Sequence, residues 1–103
     1  MPDRRALSVE GYLPGSVNPY RGEAIISASG TGCHMKWFPP NESEGKGDYT
    51  GNVLTIYFTF PNGAAGIVKY TRSTRGEMNG TWWMDATPSN KGTEELTPIL
   101  VTY

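Results

Sequence analysis

"GEMNGTWWMD", residues 76–85, sets Trp82 and Trp83 side by side. Successive side chains of a β-strand point to opposite faces, so the two indoles cannot enter one core together. Met78, Gly80, Trp82 and Met84 share one face of this stretch, and Glu77, Asn79, Thr81 and Trp83 share the other. The first set is the apolar one, which predicts Trp82 inside and Trp83 outside.

The same alternation extends in both directions from this stretch. Leu54, Ile56, Phe58 and Phe60 alternate with Val53, Thr55, Tyr57 and Thr59. Gly66, Val68 and Tyr70 alternate with Ile67, Lys69 and Thr71. Cys33, Met35 and Trp37 oppose His34 and Lys36, and Tyr20, Gly22, Ala24 and Ile26 oppose Arg21, Glu23, Ile25 and Ser27. Leu7, Val9 and Gly11 form an inner set near the start, and Glu94, Leu96 and Pro98 share a parity near the end. Turn formers separate these runs at 13–19, 29–32, 39–47, 50–52, 61–63, 73–76 and 87–92. Strands are therefore expected near 6–13, 20–28, 32–38, 47–50, 53–60, 65–72, 77–85 and 93–101. No segment has a 3.6-residue apolar period with caps at both ends, so helix content should be very low.

The 103 residues fit one domain spanning 1–103. With 13 glycines, 8 prolines and 12% aromatics, the composition favours an all-β domain. A meander of about eight short antiparallel strands avoids exposed edges most simply by closing into an up-and-down barrel. A two-sheet sandwich is the alternative, but it needs a long crossover, and the one long loop predicted is 39–47.

Charge and cysteine content narrow the function classes. The net charge of −1 and scattered Lys and Arg lack the basic stripe of a nucleic-acid binder or a polybasic membrane anchor. No run of about 18 apolar residues is present to cross a membrane as a helix. A single cysteine, Cys33, permits no intramolecular disulfide and no thiolate metal cluster. The opening MPDRRALSVEGYL lacks the apolar core of a signal peptide. Both points lean toward a reducing, cytoplasmic setting.

Several short strings follow one another in a fixed order: "VEG" (9–11), "YRGEAII" (20–26), "MKW" (35–37), "GKG" (45–47), "NVLTIY" (52–57), "GIVKY" (66–70), "EMNGTW" (77–82) and "GTEELTP" (92–98). The series resembles a group of small bacterial all-β proteins whose biochemical role is unsettled. The Gly-x-Trp strand pattern is similar in architecture to calycin barrels, the lipocalin-like and avidin-like proteins. That resemblance implies a barrel that takes a small hydrophobic ligand in its interior.

Candidate chemistry is sparse. Cys33 and His34 are adjacent and so face opposite sides of a strand, which precludes a nucleophile pair there. One histidine without a second strong ligand makes no transition-metal site, and Glu42, Glu44 and Asp48 lack the spacing of a calcium loop. No cofactor is implied. Glu94 is the unusual carboxylate: parity places it inside, where it needs hydrogen-bond donors or a cation, and Arg72 or Arg75 is the candidate cation. It is expected to hydrogen-bond a buried Tyr or Trp, and a general acid/base role in a cyclase- or isomerase-like barrel is an alternative.

The leading expectation is a non-catalytic barrel that binds a small hydrophobic or aromatic molecule. Its lining candidates are Tyr20, Trp37, Phe58, Tyr70, Trp82 and Glu94. The other expectation is a homo-oligomeric interaction module, because Tyr57, Ile67 and Trp83 fall outside on three consecutive strands and can merge into one apolar patch.

Overall fold

The computed structural model describes residues 4–99. Eight strands run in order: β1 (Arg4–Tyr12), β2 (Tyr20–Ser29), β3 (Gly32–Trp37), β4 (Ser43–Thr50), β5 (Val53–Thr59), β6 (Ala65–Arg72), β7 (Met78–Met84) and β8 (Gly92–Pro98). Each pairs antiparallel with its sequence neighbour, and β8 pairs with β1 to close the barrel. The fold is thus the up-and-down barrel and not the sandwich. Among the described residues there is no helix. Closure leaves no unpaired strand edge.

The alternation read along the chain sets the wall. Leu7, Ala24, Met35, Leu54, Ile56 and Leu96 point inward with no exposed surface. They fill the interior with their own side chains, as expected for a barrel of eight strands. Two tight turns at one end of the barrel hold the register. Gly30 and Gly51 occupy the first central position of the β2–β3 and β4–β5 turns at φ 60° and 64°. A left-handed first residue is the requirement of a II′ hairpin turn, which glycine meets without steric cost.

One strand departs from expectation. The segment 39–47 is not a long loop, because β4 begins at Ser43 and only 38–42 links it to β3. The inner face of β4 consists of Ser43, Gly45 and Gly47 before it reaches Tyr49, so the strand carries almost no apolar signal. Gly45 pairs with Phe58 and Gly47 with Ile56. A Cβ at either glycine would run into the β5 backbone. The strand approaches its partner closely because those side chains are absent. The predicted end of the last strand, 100–101, lies outside the described residues.

Candidate functional site

The connections 13–19, 38–42, 60–64 and 85–91 all lie at one end of the barrel, here called the mouth. Below them a cavity of about 60 Å³ opens to solvent. All six lining candidates surround it: Tyr20, Trp37, Phe58, Tyr70, Trp82 and Glu94. Parity also puts Phe60 and Val68 on inner faces, but it does not identify Leu13, Asn41 or Ser43. Leu13, Asn41 and Phe60 contribute from the loops or their edges, and Ser43 and Val68 from strands. Loop residues carry no period-2 signal, and Ser43 belongs to the strand segment with no apolar face.

Glu94 is the centre of the site. It is 8% exposed and receives three hydrogen bonds. The Tyr20 hydroxyl donates to Oε1 at 2.8 Å, and the Trp37 indole Nε1 donates to Oε2 at 3.0 Å. The Tyr70 hydroxyl also donates to Oε2. Among the described residues no buried side-chain nitrogen or oxygen lacks a partner.

The arrangement follows from the register. Tyr70, Gly80, Glu94, Gly11 and Tyr20 are successive cross-strand partners on β6, β7, β8, β1 and β2. Glu94 therefore has a glycine on each side and a tyrosine beyond each glycine. A Cβ at Gly11 would collide with the Tyr20 ring and hydroxyl, and a Cβ at Gly80 would collide with the Tyr70 ring. Each glycine is thus the gap across which a tyrosine reaches the carboxylate. Two more rings repeat the device, with Phe58 over its partner Gly66 and Trp82 over its partner Gly92. Trp37 reaches Glu94 from β3, between its small partners Ala24 and Ser43. It also packs edge-on against Phe58, with ring centroids 5.8 Å apart at 67°.

The expected cation is not there. Arg72 is the last residue of β6 and borders a depression at the opposite end of the barrel, with Arg4 and Arg5. Arg75 follows Arg72 in the connection at that same end. Neither can reach Glu94, because β6 descends from the mouth while Glu94 stands near the mouth end of β8. Among the described residues the two ion pairs are Arg21–Glu10 and His34–Glu44, both involving exposed side chains. Three neutral donors take the place of a counter-charge.

These surroundings shift the titrating groups. Burial raises Glu94 above the usual carboxylate range, and the bonds from Tyr70, Trp37 and Tyr20 pull it back in part. Burial, then the neighbouring Glu94 charge, pushes both tyrosine hydroxyls up, so they stay protonated as donors. A carboxyl whose folded pKa lies above its unfolded value binds its proton more tightly in the folded chain. Its contribution to stability is complete below the unfolded value, near 4.5, and is lost as pH rises through the folded value. The melting temperature of the native chain, measured against that of Glu94→Gln, is therefore expected to fall as pH rises from about 4 toward neutrality. A difference that rises over this range would contradict the shift.

The other candidates lie apart. Cys33 is half-buried on the inner face, with its thiol pushed up by burial and then by Asp48, and His34 faces outward to Glu44 at 3.0 Å. Among the described residues no three His, Cys, Asp or Glu side chains converge as a metal site. Tyr57, Ile67 and Trp83 are direct cross-strand neighbours on the outer wall, and Tyr57 is 63% exposed. Trp83 is half-buried, with the Lys91 ammonium 3.9 Å from its ring centroid. The outer indole is thus partly covered within the chain.

Compared with known proteins, the chain matches no family model, no curated protein and no solved structure.

Proposed function

We propose that this barrel binds a small molecule at its mouth and holds it without chemical change. The observation that carries the reading is the convergence of six aromatic side chains and one hydrogen-bonded carboxylate on a single solvent-open cavity. A pocket with apolar walls and a few placed polar groups is the usual form of a small-molecule site. A water-sized group needs roughly 10–15 Å³ of such space, so about 60 Å³ takes a group of a few non-hydrogen atoms. The remainder of a larger ligand would lie in the mouth against Leu13, which is 55% exposed.

Holding is favoured over turnover because the titratable side chains lining the cavity are Glu94, Tyr20 and Tyr70. Both tyrosines are hydrogen-bonded to Glu94, and both are held protonated. A general acid/base role would require Glu94 to exchange a proton with substrate while three packed donors hold it.

Trp37 and Trp82 both line the cavity, so tryptophan emission reports on it. Titration with small apolar and aromatic probes is expected to give a saturable change in emission. Flat titrations, together with unmoved amide shifts across the panel, would remove this reading.

A second reading rests on the outer row Tyr57–Ile67–Trp83, whose aromatic and aliphatic side chains have the character of a contact between copies of the chain. It predicts a dimer in light scattering that Trp83→Arg converts to monomer. A native chain that is already monomeric sinks it.

A further inference from the structure

We infer that the ligand group which enters the cavity is a small organic cation, such as a methylated or primary ammonium. This inference rests on the binding reading above and names the ligand's chemistry. Its basis is charge. Glu94 is buried at the cavity, and every partner it has is a neutral donor. Neither described ion pair involves it, and no Lys, Arg or His lines the cavity. Tyr20 and Tyr70 can donate to Glu94 and Trp37 Nε1 can only donate, so the three partners together can satisfy an ionised carboxylate. The site therefore contains one negative charge with no positive charge opposite it.

The remaining walls suit the same ligand. Trp37, Phe58, Phe60 and Trp82 surround the space with aromatic rings. Ring faces carry negative quadrupole potential and attract a desolvated cation, most strongly for Trp. An anion would meet both the carboxylate and the ring faces with the wrong sign. A neutral apolar group would be accepted by the rings but would leave the carboxylate without a counter-charge. A carboxylate also offers about four acceptor positions, and three are in use; Oε1 accepts from Tyr20 alone. An ammonium N–H can take the fourth, and a quaternary ammonium can pair with the carboxylate by charge. The small volume limits the entering group to a headgroup of a few atoms.

The test compares two probes of one shape on the native protein, choline chloride and 3,3-dimethyl-1-butanol. The second replaces the quaternary nitrogen of the first by carbon. At mildly alkaline pH and low salt, tryptophan emission is expected to give a dissociation constant at least tenfold lower for choline. In Glu94→Gln, whose amide keeps an acceptor for Tyr70 and Trp37, the two probes are expected to bind within about twofold of each other. If the alcohol binds the native protein as well as choline does, the cation inference is overturned and the binding reading stands. A preference that persists in folded Glu94→Gln overturns it as well, because the carboxylate is then not its source. If neither probe binds and the apolar panel is also silent, both readings fall.

Discussion

Glu94→Ala is expected to lower the free energy of unfolding by about 2–5 kcal/mol, one of the two largest effects expected in this protein. The side chain is the shared acceptor for three donors, and two of them, Tyr70 at 0% and Trp37 at 6% exposure, cannot turn to water. Each buried donor left without an acceptor costs about 1–3 kcal/mol. Release of the buried carboxylate from its desolvation offsets part of that sum. Chemical denaturation should show a lower midpoint with an unchanged slope. Glu94→Gln should lose less than half as much, because it restores one acceptor. Tyr70→Phe should cost less in the Glu94→Ala background than in the native chain, since one orphaned donor is then removed. If Glu94→Ala denatures at the native midpoint, the three bonds contribute nothing to stability.

Trp37→Ala is expected to cost about 3–5 kcal/mol, the range for a truncated core aromatic. It removes the ring packed edge-on against Phe58 together with the indole donor to Glu94. Trp37→Phe separates the two contributions by keeping most of the packing and deleting the donor, and its loss should fall near 1–2 kcal/mol. The alanine variant also enlarges the cavity beside the mouth by an indole's volume. Added indole should raise its melting temperature with concentration, and by more than it raises that of the native protein. A Trp37→Ala chain as stable as the native one, or blind to indole, would place Trp37 outside the packed wall.

The inner face of most strands was legible because an apolar period of two survives without any knowledge of partners. Parity put Trp82 and Glu94 inside and Trp83 outside, and the closed barrel agrees at each. Parity says nothing about which residues lie opposite one another. Parity puts Gly11 and Gly80 on inner faces, but only the register sets them on either side of Glu94. The same gap produced the expectation of an arginine partner. Arg72 and Arg75 are the nearest cations along the chain to the turn before β7, yet that turn is at the wrong end of the barrel. β4 was only half legible because its inner positions are serine and glycine, where close backbone approach replaces side-chain burial. The loop residues of the cavity wall, Leu13 and Asn41, carry no pattern to read.

The up-and-down order has a consequence for how such a protein can change. Every second connection falls at the mouth, and all four of these segments are loops. The groups that anchor Glu94 are elsewhere: Tyr20, Trp37, Tyr70 and Glu94 itself all belong to strands. Loops tolerate insertion and drift far better than the paired wall does. Selection can therefore rewrite what the mouth admits while the anchor beneath it stays fixed. Descendants of one such barrel can diverge in the loops that frame the cavity and still share the buried Glu94 cluster.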